Sequence, residues 1–177
     1  MRCILIAFVL FISAGAHGQS YIPNTDSKVN FKIKNFGSAV DGSFTALKGT
    51  LEFNESDISA TKFKVTLDAN AIDTGIGMRD KHLRKEDYFD VKQFPVIQFS
   101  STRVVEGNAG EGIITGQLTI KSITKEITFP FTYTITNDNL RFKGEFRLNR
   151  RDYRVGGNSI SLADELKVIL DVTFKKP

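Results

Sequence analysis

The chain has 177 residues, a formal net charge of +4, one cysteine and two histidines. That length suits one domain with a sizeable core, and so mild a positive charge does not by itself point to nucleic acid or a membrane surface. The cysteine is Cys3, so the rest of the chain offers no disulfide and no thiol chemistry.

Arg2 opens a short positive start, and Ile4 to Ile12 is an unbroken apolar run. Small residues follow, and Ala16-His17-Gly18 fits a cleavage site before Gln19, with cleavage after Ala16 as the second choice. Residues 1–18 therefore read as a secretory signal peptide, too short to span a membrane as a helix. Residues 19–177 then form one exported domain, periplasmic or secreted, with no stable membrane insertion and no cysteine for a lipoprotein anchor.

Val29, Phe31 and Ile33 alternate with Lys28, Asn30, Lys32 and Lys34, the pattern of a half-buried strand. Val40 and Phe44 keep their apolar side chains at even positions, whereas Leu51 and Phe53 are odd. A one-residue slip reverses the faces of a strand, so a bulge or tight bend is expected between Ala46 and Gly49. Phe63, Val65 and Leu67 alternate again.

A charged interruption follows, in which nine of the fourteen residues from Arg79 to Lys92 carry charge. Alternation restarts at Ile97 and Phe99, and continues through Ile114 to Ile120 and Ile127 to Ile135. Pro130 falls on the polar side of the latter and predicts a bulge or an edge. Asn137-Asp138-Asn139 reads as a hairpin turn, then Leu140 to Leu148 and Val168 to Phe174 complete about eight strands. Strands with one apolar face must close into a barrel or fold into a two-layer sandwich, and alternation fits both.

In the charged segment, Asp80 and Asp87 are candidate helix caps and Pro95 a terminator, so one or two short helices are expected across the barrel. Catalysis is poorly supported. His82 is the one histidine after the signal, and no Gly-x-Ser-x-Gly elbow presents a serine. Structural zinc lacks its ligands, and the basic residues here are interleaved with Asp80, Glu86, Asp87 and Asp90, unlike a nucleic-acid patch. No cofactor, metal or nucleic acid is expected.

The stretch RDKHLRKEDYFDVKQFPVIQFSS resembles the hallmark of the YceI family of lipocalin-like polyisoprenoid-binding proteins. SKVNFKIKNFG, VDGSFTALKGTLEF, TGQLTIKSITKEITFPF, RRDYRVG and ADELKVILDV resemble further pieces of that family in order. Ser122 stands where glycine is usual, Asp26 and Asn35 where histidine is frequent, and Arg154 where glycine is frequent.

The resemblance implies an all-β fold. This is an extended lipocalin-like antiparallel β-barrel of about eight strands with a short helical insertion, binding a polyisoprenoid or other long-chain amphiphilic lipid non-covalently. The lumen candidates are Phe31, Phe44, Phe63, Phe99, Phe129, Phe131, Tyr133, Phe142, Phe146 and Phe174. Arg79, Lys81, His82 and Arg151 are candidates to meet a polar or pyrophosphate headgroup at the rim. The competing expectation is a stress-response or protein-interaction module with a solid barrel core. A homodimer is compatible with either.

Overall fold

A computed structural model describes residues 18–177. The expected signal peptide, Gly18 apart, lies outside the described residues.

The alternating segments form strands β1 (Gln19–Pro23), β2 (Lys28–Asn35), β3 (Ser38–Phe44), β4 (Lys48–Phe53), β5 (Lys62–Asp68), β6 (Ile72–Asp73), β7 (Val96–Glu106), β8 (Glu111–Ile120), β9 (Ile123–Thr136), β10 (Asn139–Asn149) and β11 (Leu162–Lys175). Eight of them close an antiparallel ring, β1–β4–β5–β7–β8–β9–β10–β11, with β11 returning to β1. This barrel is the architecture that the sequence resemblance implies.

β1 and β2 lie end to end along one edge of β11, which pairs with Ile22 and Pro23 at one end and with Lys28 to Asn35 at the other. β3 and β4 are likewise two halves of one bent strand. The bend lies at Thr45–Leu47, where Ala46 has φ of 59°. It is here that the apolar parity changes from even to odd.

One end of the barrel is closely packed. Phe53, Phe63, Phe131, Tyr133, Phe142 and Phe174 pack as an aromatic cluster, with centroids 4.8 Å apart for Phe63–Phe142 and Phe131–Phe142 and 5.2 Å for Phe53–Tyr133. Edge and offset contacts of this kind add to the burial of the rings themselves. Leu51, Ile58 and Leu140 are fully buried.

The other end is built more loosely. β9 and β10 pair only from Phe131–Gly144 to the turn, so Pro130 stands where their ladder stops. Without an N–H, proline suits such an edge. On the far side, β3 meets β6 through two rungs only, Ser43–Asp73 and Phe44–Ile72. The walls part in both places, and two segments fill in: residues 77–94, which include helix α1 (Gly77–Leu83), and residues 150–157.

The first segment holds one short helix, within the expected one or two, and Arg84 to Phe89 form turns and a bend. The two expected helix caps need correction. Asp80 lies within α1 rather than before it. Ile76 occupies the cap position without a side-chain hydrogen bond. Asp87 caps no helix. No helix among the described residues is long and apolar enough to cross a membrane.

Candidate functional site

The loosely built end encloses a cavity of about 220 Å³. Its walls come from the inward-facing residues of β2, β3, β5, β7, β8, β9, β10 and β11, chiefly aliphatic and aromatic. Parity explains the lining: Val29, Phe31 and Ile33 share the inner face of β2, and Leu166, Val168 and Leu170 that of β11.

The ten lumen candidates divide between the two ends. Phe31, Phe44, Phe99, Phe129 and Phe146 line the cavity. Phe63, Phe131, Phe142 and Phe174 belong to the aromatic cluster, where a second cavity of about 80 Å³ remains. Tyr133 lines neither and is part of the packed end. The two cavities share Val29, Leu47, Val65, Phe99, Phe129 and Leu170 as walls. Phe99 and Phe129, 6.0 Å apart, thus form the aromatic part of the partition, and Phe129 is stacked on Phe146 at 4.7 Å. The barrel, for which the sequence admits both an open lumen and a solid core, is therefore hollow over one half and more closely packed over the other.

Glycines leave room for these rings. A Cβ at Gly42 would lie 2.2 Å from the ring of Phe31 across the β2–β3 ladder, and one at Gly116 would lie 2.5 Å from the ring of Phe99. The rings occupy the space that a larger residue would need.

Of the four rim candidates, only Arg79 lines the cavity. Its Nε donates to the hydroxyl of Thr74 and its Nη2 to the Thr74 carbonyl, both at 2.7 Å. Nη1 has no protein partner among the described residues. The Thr74 hydroxyl in turn donates to the buried Asp80 carboxylate, which also accepts from the Thr74 N–H at 3.0 Å. Lys81 and His82 are exposed on α1, and the His82 ring packs edge-on against Tyr88, 4.9 Å away. Arg151 is exposed and paired with Asp164 at 3.5 Å.

The sequence reading missed Arg150, which lines the cavity and is only 4% exposed. Its guanidinium makes five hydrogen bonds, to the carbonyls of Val155, Gly157, Leu162 and Ala163 and to the Asp164 carboxylate at 2.7 Å. Val155 and Gly157 belong to the covering segment, and Leu162, Ala163 and Asp164 open β11, so the guanidinium ties the cover to the strand that follows it. A planar five-donor fork can satisfy such a set where a lysine could not. The available signal was parity: Leu140, Phe142, Phe146 and Leu148 are even-numbered and inward, and Arg150 continues the series.

Tyr153 also lines the cavity. It is 2% exposed, and its hydroxyl has no hydrogen-bond partner. Burial, followed by the neighbouring Asp152 charge, pushes its pKa up to about 12, so the group remains a neutral O–H donor.

The charged segment is a clasp. Arg84 donates to the carbonyls of Asn70 (2.8 Å) and Ile72 (2.9 Å), tying α1 to β6. Lys121 in the β8–β9 turn reaches the carbonyls of Glu86 and Arg154, and the Gly156 N–H donates to the Asp87 carbonyl at 2.8 Å. These contacts tie the two covering segments together. Among the described residues, no three of His, Cys, Asp and Glu come together as a metal-binding group.

The architecture is thus a closed up-and-down barrel with an apolar cavity at one end and a tied cover over its mouth. The family profile described as YceI-like domain matches residues 21–174. The chain belongs to that family. Protein YceI of Salmonella arizonae is 30% identical over 177 residues, covering 94% of this chain and 92% of its own. The UPF0312 protein of Vibrio campbellii is 29% identical over 160 residues, 85% of each chain.

Solved structures share the fold. BcnA of Burkholderia cenocepacia superposes with a TM-score of 0.79 at 24% identity, over 83% of this chain and 95% of that one. A polyisoprenoid binding domain from Saccharophagus degradans, implicated in plant cell wall breakdown, gives 0.72 at 14% identity, over 90% and 99%.

Proposed function

We propose that residues 19–177 act, after removal of the first eighteen, as one exported binding domain for a polyisoprenoid or similar long-chain amphiphilic lipid. The lipid is held without covalent chemistry and without a cofactor, for transport, storage or scavenging. The observation that carries this reading is the 220 Å³ apolar cavity in a barrel whose other half is tightly packed. Each methylene moved from water into such a space gains about 0.8 kcal/mol. Few polar groups on the walls are left to oppose it, because Arg150 is saturated by five hydrogen bonds.

Polarity increases toward the mouth, where Asn35, Thr74 and Arg79 stand. An apolar chain enters tail first, and the free Nη1 of Arg79 meets the polar head. Lys81 and His82 flank it on α1; Arg151 serves the cover through Asp164 instead. A chain longer than the cavity meets the partition at Phe99 and Phe129, behind which lies the aromatic end. The polyisoprenoid-binding neighbour of the same fold supports the choice of ligand class.

The test is native mass spectrometry of protein exported and purified without detergent, followed by organic extraction. A stoichiometric long-chain lipid is the expected result. A clean apo mass, with no uptake of added isoprenoid lipid, refutes the reading in favour of a protein-interaction module.

A further inference from the structure

The β2–β3 hairpin turns through Phe36 and Gly37, both at positive φ (50° and 77°). Asn-Gly meets that geometry most readily, and a bulky aromatic in the first position carries a local cost. Phe36 gains no packing in return, since 82% of it is exposed. Strain without an internal compensation points to a contact outside the molecule.

Other exposed apolar side chains surround the same mouth. Ile160 is fully exposed, and its neighbour Ser161 accepts the Phe36 N–H at 2.8 Å. On the other edge of the hairpin, the antiparallel pairing of β6 with β3 sends the chain after Asp73 toward the hairpin tip. That stretch carries exposed Ile76 and Met78. Asn35, Leu162, Thr74 and Arg79, which neighbour these four in sequence, all line the cavity.

Charge follows the same plan. Residues 34–38, 76–82 and 157–161 contain one carboxylate, Asp80, and it is buried against Thr74. The exposed charges in them are Lys34 and Lys81. Apolar tips with cations and no exposed carboxylate complement an anionic lipid surface. The tips belong to three separate segments, so they form a crown around an opening. A fluid bilayer accepts that shape, whereas a protein partner requires a complementary one.

We infer that the mouth of the barrel is a membrane-docking surface. Phe36, Ile160, Ile76 and Met78 enter the headgroup layer of an anionic bilayer, with Lys34 and Lys81 against its phosphates. Docking is peripheral and reversible, and it places the cavity where a lipid can pass between bilayer and barrel without crossing water. This inference rests on the lipid-cavity reading and adds the source from which the cavity is filled.

The test is flotation of the full exported protein with vesicles of phosphatidylethanolamine and phosphatidylglycerol, compared with phosphatidylcholine alone, for the wild type and for F36N/I160S. The wild type should float with the anionic vesicles, and the double variant should lose about tenfold in partitioning. Its melting temperature should hold or rise, because Asn-Gly suits the turn.

Absence of wild-type flotation, or flotation unchanged in the variant, overturns docking. So does a wild-type dimer in sedimentation that the variant dissociates while vesicles bind neither protein, which makes the crown a contact between two copies. Uptake of farnesol from dilute ethanol separates the two readings. Uptake retained with flotation lost supports docking, and no uptake by the wild type refutes the cavity reading while docking is still judged by flotation alone.

Discussion

The partition between the two cavities gives a quantitative prediction about chain length. A cavity of about 150 Å³ accommodates benzene, so one of about 220 Å³ has room for about nine carbons on the same scale. At about 0.8 kcal/mol per methylene, this corresponds to a hydrophobic term of about 7 kcal/mol and a Kd on the order of 10 µM. Beyond that length the chain meets Phe99 and Phe129. The 80 Å³ space behind them adds room for about three carbons, a further gain of about 2 kcal/mol once the partition is opened.

Phe129→Leu should open it, at a stability cost of about 1–2 kcal/mol from lost stacking on Phe146. Displacement of a fluorescent apolar probe by isoprenols of ten, fifteen and twenty carbons reads the effect. In the wild type, affinity should rise steeply up to the ten-carbon alcohol and then flatten. In F129L the fifteen-carbon alcohol should gain about thirtyfold over wild type, and F99L provides a second opening of the same wall. Affinity that climbs unabated from ten to twenty carbons, identically in wild type and both variants, would show that these rings do not confine the chain.

Three further outcomes are expected. Arg150→Met strands four backbone carbonyls and Asp164 in the cover and at the start of β11, and should cost about 3–5 kcal/mol, with a fall in melting temperature on the order of 10 °C in calorimetry. Gly42→Ala places its Cβ 2.2 Å from the tip of the Phe31 ring and drives that ring into the cavity, so probe binding should weaken several-fold while the barrel still folds. The pKa of Tyr153 is raised from 10 to about 12, so the native state holds this proton more tightly than the unfolded one. Its contribution is complete below pH 10 and is lost as pH rises toward 12, about 2–3 kcal/mol in all. Urea denaturation in that window should show a shallower decline for Y153F, with stability near pH 7 little changed because the hydroxyl has no partner.

Much of the barrel is legible as period-two alternation, because one face of each strand is buried and the other wet. β1 and β6 are not. QSYIP contains no alternation and a proline, and β6 is two residues long, so only the pairing with β11 and β3 reveals them. The hollow half is equally invisible. Phe129 and Phe131 obey the same inward alternation on one strand, yet one faces the cavity and the other the packed end. The difference comes from where β9 parts from β10, and Pro130 marks that point without disclosing its consequence. Arg150 and Arg151 show the limit from the other direction: identical residues, one buried and saturated, the other on the surface. Extending the parity of β10 by two residues separates them.

The hollow half is costly. Cavity volume left by incomplete packing destabilises by about 24 cal/mol per Å³, so a 220 Å³ cavity forgoes about 5 kcal/mol. Net stabilities of domains are only about 5–15 kcal/mol, so a loss of that size needs a counterweight. The aromatic end supplies one, since Phe53, Phe63, Phe131, Phe142 and Phe174 are each buried and in mutual contact. The clasp supplies another, through Arg84, Lys121 and Arg150, whose bonds to backbone carbonyls hold the cover without filling the space beneath it. Stability and the hollow volume are thus carried by opposite ends of one barrel. A ligand that fills the hollow end binds only the folded state and returns part of the forgone stability. Loading should therefore raise the melting temperature, and the gain should shrink in Gly42→Ala, where Phe31 already occupies part of the space.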